Sequence, residues 1–194
     1  MLAVPNRLIE GHNGMKEGKW LKKELKRTEL FGKTLGLLGI GNIGTEVAKR
    51  AAAFGMKVIA YRQSDKTSDY AEVVANVDDL YARADYISIH LPLNDGSKGM
   101  IDAAAIAKMK DGVIIVNTGR GKVVIEPDLA AALTSGKVAA YATDVWYSDP
   151  PADDCPLLNA PNVIMTPHIG ASTKENMGRI GEIAVEIISD FIKD

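Results

Sequence analysis

The sequence predicts an α/β protein of one domain, built on a doubly wound parallel sheet. Short apolar segments of strand length alternate with segments rich in Ala, Leu, Met and charged residues, which favour helices. The short segments are apolar on both faces, as expected of strands that are covered by helices on each side. A repeated strand–helix–strand order is typical of a parallel sheet. The predicted strands are residues 34–39, 57–61, 86–90, 113–117, 138–145 and 163–165.

Helices are predicted between these strands at residues 44–54, 78–84, 103–109 and 126–134. Gly55 and Gly136 follow the first and the last of them, at positions where a left-handed residue commonly ends a helix. Residues 1–30 are charged and irregular, and we expect them to hold the end of a helix and a surface connection.

Residues 174–194 are predicted to form one amphipathic helix. Its apolar residues recur at steps of three and four, and Glu182, Glu186 and Asp190 lie on another face. We expect the apolar stripe to pack on the sheet; the alternative is that it docks onto another domain or a second subunit. The stripe consists of Ile180, Ile183, Ala184, Ile187, Ile188 and Phe191.

The composition bears on the binding partners, metal content and location that can be expected of the chain. The formal net charge is −2, so no basic excess points to nucleic acid or to an anionic membrane. Cys155 is the only cysteine and no other residues have the spacing of metal ligands, so we predict no disulfide and no catalytic metal. No apolar run approaches the roughly 20 residues of a membrane helix, and the first residues do not resemble a secretory signal. A reducing, cytoplasmic location is the expectation.

A glycine-rich loop, residues 39–44, joins the first predicted strand to the first predicted helix. In this context the pattern G-x-G-x-x-G is typical of a Rossmann-type dinucleotide site. Gly39 permits the tight turn, Gly41 lets a pyrophosphate approach the backbone, and Gly44 lets the helix pack closely on the strand. The helix N-terminus offers free N–H groups to phosphates. The loop residues predicted to bind the dinucleotide are Gly39, Gly41, Asn42, Ile43 and Gly44.

The end of the second strand bears on the choice of dinucleotide. An NAD site is expected to carry an acidic residue there, which binds the ribose hydroxyls, but this strand continues into Arg62. A guanidinium cannot accept a hydrogen bond from a hydroxyl, whereas it can pair with a 2′-phosphate. We therefore favour NADP(H) over NAD(H), with Ser64 and Lys66 assisting. The alternative is a solvated Arg62, with Asp65 in the acidic role.

Five further motifs follow in order along the chain, at residues 29–34, 90–93, 116–121, 143–145 and 166–173. From about residue 14 to the end, the sequence resembles the D-isomer-specific 2-hydroxyacid dehydrogenases. This family includes phosphoglycerate, glyoxylate/hydroxypyruvate and D-lactate dehydrogenases. The resemblance implies an oxidoreductase that transfers a hydride between NAD(P)H and a 2-keto or D-2-hydroxy acid.

The residues themselves also suggest this chemistry. Reduction of a 2-keto acid needs a cation for the carboxylate, an acid for the carbonyl oxygen and a partner for that acid. Arg120 follows a buried strand in a glycine-flanked turn, where its guanidinium can form a fork to a carboxylate. His168 follows the last strand, and histidine exchanges protons near neutral pH. In the resembling family, an arginine and a histidine at these positions bind substrate and exchange the proton.

Asp149 is the predicted partner of His168, and it departs from the family pattern, which usually has glutamate there. The carboxylate that would orient the imidazole is kept, but the side chain is one methylene shorter. Either the loop moves closer to the histidine, or the contact lengthens and weakens. The alternative is that Asp149, which precedes Pro150, is an ordinary turn residue.

The resemblance also implies a set of cofactor contacts. Asp144 would accept a hydrogen bond from the nicotinamide carboxamide; the alternative is a strand-end cap. For Leu91 and Pro92 the alternative to cofactor contact is simple core packing and a turn, and the sequence favours neither interpretation. His90 is expected to be a hydrogen-bonded structural residue, and His12 a solvated one. The residues predicted to line the cofactor beyond the glycine loop are Leu91, Pro92, Thr118, Gly119, Asp144, His168 and Gly170.

The same resemblance implies how the chain is organised. Residues 1–30 would connect from an N-terminal substrate domain, residues 31–173 would form the NAD(P)-binding domain, and residues 174–194 would be a C-terminal helix. We expect the chain to be the cofactor domain of a longer enzyme, a homodimer, with little turnover alone. The alternative is an NAD(P)-binding or sensing module without turnover.

Overall fold

A seven-stranded sheet forms the centre of the computed structural model, which describes residues 1–62 and 68–193. Every neighbouring pair of strands is parallel, and their spatial order is β3-β2-β1-β4-β5-β6-β7. The strands are β1 (Thr34–Leu38), β2 (Lys57–Tyr61), β3 (Glu72–Val74), β4 (Tyr86–Ile89), β5 (Val113–Asn117), β6 (Val138–Thr143) and β7 (Val163–Met165). The strand order reverses between β1 and β4, which is the switch point of a doubly wound sheet.

Helices connect strands and cover the sheet, and one further helix lies at each end of the chain. They are α1 (Leu8–Lys16), α2 (Asn42–Ala53), α3 (Val77–Arg83), α4 (Ala103–Lys108), α5 (Glu126–Ser135) and α6 (Lys174–Lys193). Local side chains set several of their ends. The Asn76 side chain accepts a hydrogen bond from the Asp78 N–H at the start of α3, and Asp102 does the same for Ala105 in α4. Gly136 ends α5 with a φ of 80°, a left-handed conformation that costs glycine little.

The core consists of apolar side chains on both sides of the sheet. Leu35, Leu37 and Leu38 of β1 are fully buried, and so are Ile87 and Ile89 of β4. These central strands are therefore covered on both faces, as the continuous apolar segments predicted. The prediction of a doubly wound parallel sheet is confirmed.

Three strands end earlier than the sequence predicted. β1 ends at Leu38 because Gly39 turns with a φ of 96°, β4 ends at Ile89 rather than at His90, and β6 ends at Thr143 rather than at Val145. The sequence analysis also missed β3, a three-residue strand at the edge of the sheet. It begins with an exposed glutamate and has only one buried residue, Val74, so no apolar run marks it.

The prediction that the C-terminal stripe packs on the sheet is wrong. Along α6, the side chains of Ile180, Ile183, Ile187, Ile188 and Phe191 are all more than half exposed, and Phe191 is 83% exposed. The helix is amphipathic, as predicted, but its apolar side contacts no part of the core. Periodicity shows that a helix has an apolar face, and it does not show what covers that face.

Candidate active site at the carboxyl edge of the sheet

The predicted site residues follow the carboxyl ends of six neighbouring strands, from β2 to β7 in the order of the sheet. Because all strands are parallel, these ends meet at one edge of the sheet. The loops after β1 and β4 flank the switch point, where open α/β sheets bind their ligands. The loops after β5, β6 and β7 extend the same edge to one side.

The glycine loop has the geometry that its sequence predicted. Gly39 adopts a φ of 96°, and a Cβ atom there would lie 2.9 Å from the His90 carbonyl oxygen. A Cβ at Gly44 would overlap the Gly39 carbonyl oxygen, so α2 starts directly against the turn. At Gly41, by contrast, a Cβ would meet no atom within 4 Å.

The open space at Gly41 is suited to a phosphate ligand. Gly41 precedes the first turn of α2, and Asn42 and Ile43 in that turn are exposed. The N–H groups of a first helical turn have no partners within the helix, and they lie at the positive end of its dipole. The structure therefore presents backbone donors and room for a pyrophosphate at the same point.

Arg62 lies beside this loop, because the Tyr61 carbonyl accepts a hydrogen bond of 3.0 Å from the Gly39 N–H. Arg62 is half-buried at the end of β2. The other residues considered for the cofactor choice, Ser64, Asp65 and Lys66, lie outside the described residues.

The loop after β4 is held by its own contacts. The Nε2 atom of His90 lies 2.9 Å from the Ser88 hydroxyl, and burial lowers the pKa of His90 to about 4. His90 is therefore a neutral, hydrogen-bonded residue near pH 7. Leu91 packs against the core beside Gly39, and the Pro92 carbonyl accepts a 2.6 Å hydrogen bond from Ser97. Packing and turn formation account for the positions of Leu91 and Pro92.

The turn after β5 carries Arg120 and is packed between its neighbours. A Cβ at Gly119 would lie 3.0 Å from the Ile89 carbonyl oxygen, and one at Gly121 would overlap the Trp146 carbonyl. Thr118 and Arg120 are exposed at the edge of the sheet. The Nη1 atom of Arg120 donates a 2.8 Å hydrogen bond to the Gly119 carbonyl, which holds the guanidinium close to its own turn.

Asp144 organises the loop after β7. Its Oδ1 atom accepts hydrogen bonds from the Thr166 hydroxyl (2.6 Å) and the Ile169 N–H (2.9 Å), and its Oδ2 atom accepts one from the Gly170 N–H (2.7 Å). Two carboxylate oxygens offer about four acceptor positions, so a further donor can still bind. Asp144 thus shapes the segment that contains His168, a role that the strand-end position alone did not suggest.

Asp144 also has a shifted pKa. Burial acts to raise the pKa of this carboxyl, but the hydrogen bonds from Thr166, Ile169 and Gly170 outweigh burial and lower the pKa below its ordinary 3.8. A carboxyl whose pKa is lower in the folded state stabilises the fold above its unfolded pKa, and this contribution is lost as the pH falls through the folded value.

Asp144→Asn is therefore expected to destabilise the protein most above pH 4. At neutral pH we expect the free energy of unfolding to fall by about 1–3 kcal/mol, because the amide nitrogen would face a backbone donor. The difference from the parent protein should shrink as the pH is lowered below about 3.8. Urea denaturation at a series of pH values measures this, with the exposed Asp153→Asn as the control; a difference that does not vary with pH would contradict the prediction.

His168 and Asp149 meet directly. The Nδ1 atom of His168 lies 2.5 Å from an Asp149 carboxylate oxygen, and each side chain is about half exposed. The shorter aspartate therefore still reaches the imidazole, since the loop after β6 lies close enough. The sequence left two possibilities for this pair, a loop closer to the histidine or a longer and weaker contact. The structure has the closer loop.

The backbone also contributes to the placement of His168, which has a φ of 56° in the left-handed region. Few residues other than glycine adopt this conformation, and histidine is among those that do so more often. The Trp146 indole N–H donates a 3.1 Å hydrogen bond to the Thr166 carbonyl, which ties the Asp149 loop to the His168 loop. Sequence analysis missed Trp146 and Thr166, because nothing in their spacing indicates a contact between the two loops.

Within the residues that the structure describes, no group of three or more His, Cys, Asp or Glu side chains is arranged to hold a metal ion. None of the described helices combines the length and apolar character needed to cross a membrane.

Comparison with known proteins places the chain in a family. The family model for the NAD binding domain of the D-isomer specific 2-hydroxyacid dehydrogenases matches residues 1–170. The chain belongs to this family, and it represents the family's NAD-binding domain. The resemblance inferred from its motifs is confirmed.

Two relatives show how closely the chain matches. It is 47% identical over 196 residues to a hydroxypyruvate reductase of Thermotoga maritima, covering all of this chain and 63% of the relative. It is 41% identical over 196 residues to a D-3-phosphoglycerate dehydrogenase of Archaeoglobus fulgidus, covering all of this chain and 37% of that protein. The chain thus spans less than two-thirds of the length of either relative.

Solved structures share the fold closely. A glyoxylate reductase from Paecilomyes thermophila superposes with a TM-score of 0.93 at 36% identity, over all of this chain and 60% of the other. A D-lactate dehydrogenase from Aquifex aeolicus, solved with NAD and lactic acid, gives a TM-score of 0.90 at 34% identity, over 99% of this chain and 63% of the other.

Proposed function

We propose that this chain is the cofactor domain of an oxidoreductase that transfers a hydride between NAD(P)H and a 2-keto or D-2-hydroxy acid. The observation that carries the proposal is the 2.5 Å contact between His168 and Asp149 at the edge of the sheet that also holds the glycine loop. Binding a dinucleotide requires no imidazole–carboxylate pair. The pair therefore favours turnover over a sensing module.

Each residue of the proposed site has a distinct role. Arg120 binds the substrate carboxylate through a fork of two N–H groups. Asp149 holds the Nδ1 side of the His168 imidazole, which leaves Nε2 directed away from the carboxylate and able to exchange a proton with the substrate oxygen. When bound, the nicotinamide cofactor supplies or accepts the hydride. Asp144 keeps one acceptor position, which suits a carboxamide N–H.

The proposal is tested by cofactor oxidation with a panel of 2-keto acids, including glyoxylate, hydroxypyruvate and pyruvate. We expect the 194-residue chain to bind cofactor, and the protein that includes any upstream coding sequence to oxidise NADH or NADPH with at least one of these acids. A longer protein that binds cofactor but turns over no member of a broad panel would contradict the proposal.

For the cofactor, we propose a preference for NADP(H). The argument is the position of Arg62 at the end of β2, beside the glycine loop, where a guanidinium suits a 2′-phosphate better than ribose hydroxyls.

Arg62→Ala is expected to weaken NADPH binding by about tenfold or more, the value of one charge-assisted hydrogen bond, and NADH binding much less. Dissociation constants for both cofactors, measured by fluorescence titration, check this. Arg50→Ala, which removes an exposed arginine on α2, is the control. Equal losses for NADPH and NADH would exclude the proposed role of Arg62.

A homodimer is the assembly we propose. Its support is the amount of exposed apolar surface, which includes the stripe on α6 and the side chains of Leu8, Trp20 and Phe31.

A further inference from the structure

Asn117, the last residue of β5, has a side chain that binds the turn carrying Arg120. The residue is fully buried. Its Oδ1 atom accepts a 3.0 Å hydrogen bond from the Gly119 N–H, and its Nδ2 atom donates a 3.1 Å hydrogen bond to the Arg120 carbonyl. Both ends of this buried amide are therefore engaged by residues two and three positions further along the chain.

The backbone of Asn117 connects the Arg120 turn to the loop after β6, which begins at Asp144. Its carbonyl accepts a 3.0 Å hydrogen bond from the N–H of Asp144, the residue that organises the His168 loop. Asn117 thus lies where the Arg120 turn and the Asp144 loop meet, although it has no exposed surface with which to contact a ligand.

The contacts of Asn117 restrict the conformation of the turn. If the turn changed, the amide would lose its hydrogen-bond partners in a buried site, which is unfavourable for each group left unpaired. The neighbouring backbone restricts the turn as well, since Gly119 lies against the Ile89 carbonyl and Gly121 against the Trp146 carbonyl. The guanidinium is bonded to the Gly119 carbonyl of this same turn, so its position follows that of the turn.

We propose that Asn117 is a positioning residue for substrate binding: its side-chain amide holds the turn that places the Arg120 guanidinium against the substrate carboxylate. The inference rests on the proposed function, in which Arg120 binds that carboxylate. The role requires one donor and one acceptor on a short side chain, at Nδ2 and Oδ1. Alanine supplies neither, and an ionised carboxylate supplies only acceptors.

Asn117→Asp gives the inference a pH-dependent test. A protonated carboxyl has one O–H donor and one carbonyl acceptor, so it reproduces the hydrogen bonds of the asparagine. An ionised carboxyl would place an oxygen against the Arg120 carbonyl oxygen. Burial favours the neutral form of a carboxyl, so we expect the protonated form to persist to a pH at which the enzyme can be assayed.

The experiment compares steady-state kinetics of the full-length enzyme with its Asn117→Asp, Asn117→Ala and Asn159→Asp variants across the pH range in which all remain folded. For Asn117→Asp we expect a 2-keto-acid KM within about twofold of the parent at low pH, and about tenfold higher at high pH, the effect of one lost hydrogen bond. Asn117→Ala should raise KM at every pH. The exposed Asn159→Asp should follow the parent in its KM at every pH.

A second measurement does not depend on turnover. The ¹⁵N–¹H signal of the Arg120 guanidinium Nε, assigned by its loss in Arg120→Lys, should move with pH in Asn117→Asp and not in Asn159→Asp.

If the parent enzyme turns over no 2-keto acid, the proposed function fails while this signal still tests the positioning. If the parent is active and both Asn117 variants keep its KM at every pH, the positioning role is excluded. It is excluded as well if the Nε signal does not respond to the substitution.

Discussion

His168→Asn is expected to reduce kcat with any 2-keto acid by about 10²–10⁴-fold, the usual contribution of a positioned general acid or base. Asparagine is the replacement of choice because His168 has a φ of 56°, and asparagine tolerates the left-handed region better than most residues. The variant should therefore keep the loop conformation while removing the group that exchanges the proton. Stopped-flow or steady-state oxidation of NADH, with kcat and KM determined separately, measures the effect.

Two comparisons make the His168 experiment specific. His12→Asn removes an exposed histidine of α1 and should leave kcat unchanged. Asp149→Asn should lower kcat less than His168→Asn does, because the imidazole would remain but lose the carboxylate that orients it. In His168→Asn the dissociation constant for NADH should change much less than kcat does, and in His12→Asn it should not change. A kcat within about threefold of the parent in His168→Asn would fall well short of a general-acid role and would remove His168 from the reaction.

Arg120→Ala is expected to lower kcat/KM for 2-keto acids by about 10²–10⁴-fold. Two charge-assisted hydrogen bonds of about 1.5–3 kcal/mol each would be lost, and each 1.4 kcal/mol corresponds to about tenfold. Arg120→Lys keeps the positive charge but not the planar fork, so its loss should be intermediate. Most of the change should appear in KM, since the carboxylate is bound both before and during the reaction.

The control for Arg120 is Arg27→Ala, which removes an exposed arginine that bonds to Asn6 in the N-terminal segment. This variant should have the kcat and KM of the parent. A lysine variant as active as the parent would show that charge alone suffices and that no fork is formed. An alanine variant with an unchanged KM would mean that another cation binds the carboxylate.

The sequence predicted the loops of the site better than the contacts between them. Gly39 and Gly44 are each constrained by a backbone atom at close range, and only glycine satisfies such a constraint, so the pattern is visible in the residues themselves. The contact between Asp149 and His168 was harder to predict from the sequence. Its position along the chain suggested a partner for His168, but whether a shorter side chain could reach depended on the separation of two loops.

Asn117 and Asp144 illustrate a role that sequence reasoning did not find. Each is a short polar residue at or just after the end of a strand, where capping and turn formation are common uses. Only the folded chain brings the N–H groups of Ile169 and Gly170 to Asp144, from a segment 25 residues further along. Asn117 bonds locally, but its importance depends on burial and on the Arg120 turn, neither of which its residue type reveals.

By itself, the sequence determined the parallel doubly wound sheet, the dinucleotide loop and the residues Arg120, Asp149 and His168 as a candidate set. The sheet and the loop follow from periodicity and from local backbone requirements, which are encoded within a few neighbouring residues. The three site residues follow from the chemistry of their side chains and from the resemblance to the family. Tertiary structure decided that Asp149 reaches His168, that Asp144 shapes the His168 loop, and that the apolar stripe of α6 is left uncovered. Those outcomes depend on distances between segments far apart in the chain, and no local pattern of residues specifies such distances.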